Sequence, residues 1–277
     1  MDSKKNQDND KYFHKRLIIM KSTINRFKRY QFLFEELVKR DFKKKYKRTA
    51  LGMLWSVLSP LMNVIVLMVV FTQFFGRGQE HFIIYIFSGT LIMSFFTETT
   101  QGCMRSLMAN APIFTKIKVP KYLFMVSKAI QAFVNFLLTF LLYIVFCLID
   151  NIDFGLHMVA LIYPMVCLLI FCVGVGMVLA ALYVFFRDVE YLYGVFLTLL
   201  NYVSAIFYPV EILPAAYQNI FLLNPVFVYI KYFRCVVIDG IIPSASFHGL
   251  CALYAVIALA AGCLIYKKYN NEFLYYV

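Results

Sequence analysis

The chain is 277 residues long, with 62% hydrophobic, 18% aromatic and 15% charged side chains and a formal net charge of +12. An ordinary soluble domain is about 25% charged, so this composition excludes one: the apolar surface has to be hidden in a bilayer. A single all-α integral membrane domain is the economical reading.

The charge is concentrated at the front. The first 50 residues hold 16 of the 27 Lys and Arg but only 6 of the 15 Asp and Glu. Met1 to Lys11 is polar, and Leu17-Ile18-Ile19-Met20 is too short for the apolar region of a signal peptide, so the first span is expected to act as the insertion signal. Residues 1–23 read as a polar, basic cytoplasmic N-terminus.

From Ile24 to Arg48 the positions Phe27, Tyr30, Phe34, Val38, Phe42 and Tyr46 recur at three- and four-residue intervals. That spacing predicts an amphipathic helix over 24–50, with Glu35/Lys39 and Glu36/Arg40 as supporting pairs. Seven basic residues stand between 39 and 48 against Asp41 alone. Each contributes about 1 kcal/mol near an anionic leaflet, so the helix is expected to lie in the inner membrane surface. A sharper reading gives Arg40, Lys43, Lys44, Lys47 and Arg48 a second task, receiving phosphate groups of a substrate.

Apolar runs follow at 52–75, 82–104, 121–149, 156–186, 191–209 and 249–266, close to the length of about 20 residues that a spanning helix needs. They predict six spans within a domain over 51–268. Arg105, Lys116, Lys118 and Lys121 fall between the second and third runs, and Lys267 and Lys268 follow the sixth. Under the positive-inside rule both termini are cytoplasmic, including the tail 269–277. The stretch 210–248 is external on this scheme, yet it is apolar and cut by Pro209, Pro214, Pro225 and Pro243. A re-entrant or interfacial hairpin, covered by protein or by a water-filled cavity, is expected there rather than a surface-lying loop.

The seven cysteines have no C-x-x-C spacing and read as small packing residues. Gly174, Gly176 and Ala180 suit close helix contact. Glu98 and Lys128 are ionisable groups inside spans. Snorkelling or pairing, with Glu98 two turns from Arg105, stands beside a role in a polar vestibule admitting a substrate headgroup. Tyr191, Tyr202 and Tyr208 suit either pore lining or an aromatic belt. The four histidines are scattered and no span carries paired carboxylates, so the chain offers no catalytic constellation. Without a G-x-x-x-x-G-K-[ST] loop it has no recognisable ATP site of its own.

The string Arg40-Asp41-Phe42-Lys43-Lys44-Lys45-Tyr46-Lys47-Arg48-Thr49-Ala50-Leu51-Gly52-Met53-Leu54-Trp55, closing at Pro60, resembles the start of type-2 ABC permeases for polysaccharide export, the teichoic-acid, O-antigen and capsule exporters. Phe186-Arg187-Asp188-Val189, then Ser204-Ala205-Ile206-Phe207-Tyr208-Pro209, then Leu223-Asn224-Pro225 before Arg234 follow the same family pattern. Ala205 departs from it, standing where proline is expected, which would leave the bend to Tyr208-Pro209.

The resemblance implies a homodimer in a bacterial inner membrane, working with two separate ATPase subunits that bind ATP and Mg²⁺. Its cargo would be a polysaccharide on an undecaprenyl diphosphate carrier. It also implies a coupling loop at 106–121, with Ile113, Phe114 and Lys116, and a second contact at Arg187, Asp188 and Glu190. From the residues alone, the first is a basic loop and Arg187-Asp188 a helix-end ion pair. The rival readings are a type-2 permease for a drug or other small hydrophobic molecule, and an ATP-independent channel or scaffold.

Overall fold

A computed structural model describes residues 30–43, 51–75, 81–212, 214 and 218–276, and among these all regular structure is helical. Helix α1 covers 30–43, inside the expected amphipathic segment. The apolar runs become α2 (Trp55–Phe75), α3 (Phe82–Ala109), α5 (Tyr122–Ile149), α6 (Ile162–Phe185), α7 (Val189–Val203) and α9 (Ala245–Tyr269), with α4 (Ala111–Phe114) and α8 (Pro225–Val237) between them.

Among the described residues four stretches are long and apolar enough to cross a membrane: Phe82–Ala109, Tyr122–Ile149, Leu156–Phe185 and Ala245–Tyr269. Trp55–Val70 and Val189–Val203 are apolar but shorter.

Helix α3 is the hub, packed against α5, α6 and α8, while α6 and α9 form the most extensive helix pair. Lipid tails are as apolar as leucine, so close packing rather than escape from water holds such helices together. Glycine makes the α6–α9 approach possible: a Cβ on Gly174 would sit 2.3 Å from the backbone carbon of Ala258, and one on Gly262 would sit 2.6 Å from the Gly174 carbonyl oxygen. Gly176 faces α3 instead, where a Cβ would meet that of Cys103 at 2.5 Å. All seven cysteines are free, and five of them are buried.

At one end of the bundle, the region expected as a hairpin is built around α8. Pro225 sits in its first turn, and the Asn224 side chain accepts a hydrogen bond from the Val226 amide at 3.0 Å while donating to Ser204 Oγ at 2.9 Å. That is an N-cap which also ties α8 to the end of α7. Val228, Tyr229, Ile230, Tyr232 and Phe233 are fully buried, so 225–237 is not a surface-lying loop.

The bend after α7 differs from expectation. The helix stops at Val203 and Ala205 takes a left-handed backbone with φ of 49°, so the chain turns four residues before Pro209. The cause is Arg234, whose buried guanidinium donates to the carbonyls of Ala205 (2.9 Å), Tyr85 (3.1 Å) and Ile206 (3.2 Å) and lies 3.3 Å from the centre of the Tyr85 ring. Proline fixes φ near −65° and could not occupy position 205 in this backbone. His81 and Asp150 pair at 2.8 Å at the same end.

Candidate functional site

Polar residues on three apolar helices converge on one cavity. On α3, Thr90, Ser94 and Glu98 repeat every four residues; on α5, Asn135 and Thr139 do the same; on α2, Ser56, Ser59 and Asn63 follow three- and four-residue steps. Such spacing puts each set on one helix face. All eight line a cavity of about 480 Å³, whose remaining wall includes Trp55, Phe87, Phe95 and Phe136.

Asn135 Nδ2 donates to Glu98 Oε1 at 2.7 Å. The hydroxyls of Thr90 and Thr139 donate to the carbonyls of Ile86 and Asn135, each at 3.1 Å. Their oxygens therefore remain as acceptors beside the Glu98 carboxylate, while Ser59, Asn63 and Ser94 on the same wall can both donate and accept.

A second cleft of about 660 Å³ lies on the other side of α3. Thr97 and Gln101 of α3 face Gly194, Thr198, Asn201 and Tyr202 of α7 across it, and Ser94 and Glu98 line both spaces. Glu98 thus sits at the junction of two polar spaces within a bundle of apolar helices. Of the residues expected along a pore, Glu98 and Tyr202 share this cleft. Tyr191 is exposed on α7 away from it. Tyr208 is taken up by the far-end network, its hydroxyl donating to the Tyr202 carbonyl at 3.0 Å and its carbonyl accepting from Tyr85 at 2.8 Å.

The opposite end of the bundle gathers the basic residues. Arg105 pairs with Glu190 at 2.6 Å, so the partner of Arg105 is on α7 and not Glu98. Lys121 donates to the carbonyl of Asn270 and lies 5.7 and 5.6 Å from the ring centres of Phe114 and Phe273. Burial lowers its pKa from the ordinary lysine value, and the two ring faces offset part of that cost. Through this contact the C-terminal residues are fastened to the start of α5.

Helix α1 docks on the same region. Leu37 is buried with Phe114 and Phe124, Arg40 Nη2 donates to Asn110 Oδ1 at 2.7 Å, and the buried Asp41 meets Lys128 at 3.1 Å. The face turned to the protein is therefore Leu33, Leu37 and Asp41. Of the pairs expected on α1, Glu36 binds Lys39 rather than Arg40, because Arg40 turns to Asp41 at 2.8 Å. Lys43 is exposed at the end of α1, and Lys44, Lys47 and Arg48 lie outside the described residues.

In the 106–121 loop Phe114 is buried against α1, whereas Lys116 and Ile117 are exposed and Ile113 is half-buried. At the α6–α7 turn Arg187 and Asp188 are exposed, and Arg187 lies 5.4 Å from the centre of the Tyr183 ring. Among the described residues no group of His, Cys, Asp and Glu could hold a metal ion.

Sequence reading missed Ser94, Asn135, Thr139 and Asn201. Their one signal is the four-residue repeat of small polar side chains inside apolar runs, which becomes meaningful when several helices show it.

Comparison with known proteins agrees with this architecture. The ABC-2 type transporter family matches residues 33–237. The O-antigen export system permease protein RfbA of Myxococcus xanthus is 25% identical over 88% of this chain and 95% of its own length. Its namesake from Klebsiella pneumoniae is 26% identical over 87% and 95%, and the polysialic acid transport protein KpsM of Escherichia coli 19% over 87% and 94%. With most of α1, five of the six apolar helices and α8 inside the matched segment, this multi-pass membrane protein belongs to the ABC-2 type transporter family.

Proposed function

We propose that the chain is the permease subunit of an ABC exporter that carries polysaccharide on a polyprenyl diphosphate carrier, of the undecaprenyl type, from the cytoplasm to the outer face of a bacterial inner membrane. The observation that carries this reading is the polar track around Glu98, flanked by cavities of about 480 and 660 Å³ inside an apolar bundle. Polar groups at membrane depth are costly unless they face partners or a hydrophilic cargo, and these spaces fall within the range of about 300–1,000 Å³ usual for small-molecule sites. The O-antigen and polysialic acid transport relatives supply the cargo class.

On this reading all six apolar helices span the bilayer, α1 lies at the cytoplasmic surface, and the segment around α8 enters from outside as a re-entrant hairpin. Both termini are cytoplasmic, which agrees with the gathering of Arg40, Arg105, Lys121 and Arg187 at one end of the bundle. Exposed apolar side chains on α7, among them Leu192, Val195 and Leu199, give a second copy of the chain a surface to meet. Two ATPase subunits, binding ATP and Mg²⁺, dock at the 106–121 loop and the α6–α7 turn. Arg40, Lys43 and the basic residues after them receive the carrier's phosphates.

Gentle purification of the tagged chain from native membranes, with mass spectrometry of what accompanies it, tests the proposal. One ATPase in equal amount together with a polyprenyl diphosphate-linked sugar is the expected result. The ATPase without that lipid points to a drug or other small hydrophobic cargo, and neither points to an ATP-independent channel or scaffold.

A further inference from the structure

The 480 Å³ cavity between α2, α3 and α5 is separated by α3 from the cleft along α7, and its chemistry is selective. Its charged lining residue is Glu98, an anion. Thr90 and Thr139 spend their hydroxyl protons on their own helices, which leaves oxygen lone pairs turned to any guest. Ser59, Asn63 and Ser94 on the same wall can donate as well as accept, so what disfavours a phosphate or carboxylate here is the like charge of Glu98. A lipid tail brings no donors and would strand the polar groups it covers. A neutral sugar brings hydroxyl donors for Glu98, Thr90 and Thr139, and apolar C–H faces for Trp55, Phe95 and Phe136.

We infer that this cavity is a side site for uncharged sugar residues, which the carrier's diphosphate does not enter. The inference rests on the polysaccharide-export reading and refines it: the vestibule beside Glu98 takes the glycan, and the phosphates stay at the basic end. It divides the labour between Glu98 at membrane depth and Arg40 and Lys43 at the surface by the sign of their charge.

The protein carries its own reporter, because Trp55 is the chain's single tryptophan and lines the cavity. Full-length chain in phosphatidylcholine nanodiscs is titrated with maltoheptaose and with an oligogalacturonate of equal length while Trp55 emission is recorded. The expected result is a saturable change with the neutral sugar and binding of the anionic one weaker by about tenfold or more, one decade being about 1.4 kcal/mol. Glu98→Gln should narrow that gap to about threefold or less, a shift of about 0.7 kcal/mol. Thr139→Val should weaken the neutral sugar and Thr139→Ser should restore it.

No saturable change with maltoheptaose, equal binding of both sugars, or indifference to both Thr139 variants would overturn the side site. Glycan export by vesicles containing the same chain and its ATPase separates the two levels. Export without the Trp55 response removes the side site alone, and absence of both removes the exporter reading with it.

Discussion

Asp41 on α1 and Lys128 on α5 face each other at 3.1 Å, with Asp41 only 4% exposed and Arg40 donating to its other oxygen at 3.0 and 2.8 Å. One buried carboxylate thus holds two cations from two helices, and the two single substitutions are not equivalent. Lys128→Met leaves Asp41 neutralised by Arg40. Asp41→Asn leaves Arg40 and Lys128 facing each other without the anion.

We expect Asp41→Asn to destabilise by about 3 kcal/mol and Lys128→Met by about 1 kcal/mol. The double variant should fall short of the sum by at least about 0.5 kcal/mol. Thermal unfolding of the four proteins in nanodiscs measures all three quantities. Strict additivity would mean that α1 is not fastened to α5 through this pair.

Arg234 is the corresponding fixture at the far end. It binds the carbonyls of Ala205 and Ile206 just after the end of α7 and that of Tyr85 at the start of α3, contacts that a lysine, without the planar fork, cannot reproduce together. Arg234→Lys should cost about 1–3 kcal/mol for each carbonyl left unsatisfied. At Ala205 the positive φ sets the order of tolerance. Ala205→Gly relieves a left-handed penalty of about 1–2 kcal/mol and should be accepted. Ala205→Pro should cost about 3 kcal/mol or more, and if it were as stable as the parent, the described backbone at the bend would be wrong.

The helices were legible because apolar runs of spanning length can do little else in a bilayer, and the observed α3, α5 and α6 differ from the predicted runs mainly at their ends. The end of α7 was not legible. It is set by hydrogen bonds from Arg234 on another helix, and no local proline or glycine marks it. At the site, Glu98 stood out in the sequence as a charge in an apolar run, while Ser94, Asn135 and Thr139 did not, since a single small polar residue in a spanning helix is ordinary. Their meaning lies in three stripes meeting, which only packing reveals. Asp41 and Lys128 had no spacing to connect them, and the pairing of Arg105 with Glu190 instead of Glu98 follows from α7 crossing beside the end of α3.

Glycines separate packing from backbone freedom. A Cβ on Gly174 would fall 2.3–2.6 Å from backbone atoms of α9, whereas one on Gly249, on the same α9 helix, would meet nothing within 4 Å. Gly174→Ala should therefore force α6 and α9 apart and cost about 1–3 kcal/mol. Gly249→Ala should be neutral or stabilising by up to about 1 kcal/mol through helix propensity. Equal effects on the unfolding temperature would remove the close-approach account of Gly174.

The 106–121 loop makes a testable distinction between neighbouring apolar side chains. Phe114 is 5% exposed and spent on Leu37, Phe124 and Lys121, while Ile117 is 50% exposed next to the exposed Lys116 and Lys118. An apolar side chain presented on a charged surface is the feature a partner subunit would bury. In a chain with Cys235 and Cys263 replaced by alanine, Ile117→Cys should crosslink to the copurified ATPase, and Phe114→Cys should not. Phe114→Ala should instead loosen α1, seen as faster proteolysis of the N-terminal segment and a loss of about 3–5 kcal/mol in stability. Efficient crosslinking from position 114 with none from 117 would reverse the assignment, making Phe114 the docking side chain and its contact with α1 a resting state that the ATPase displaces.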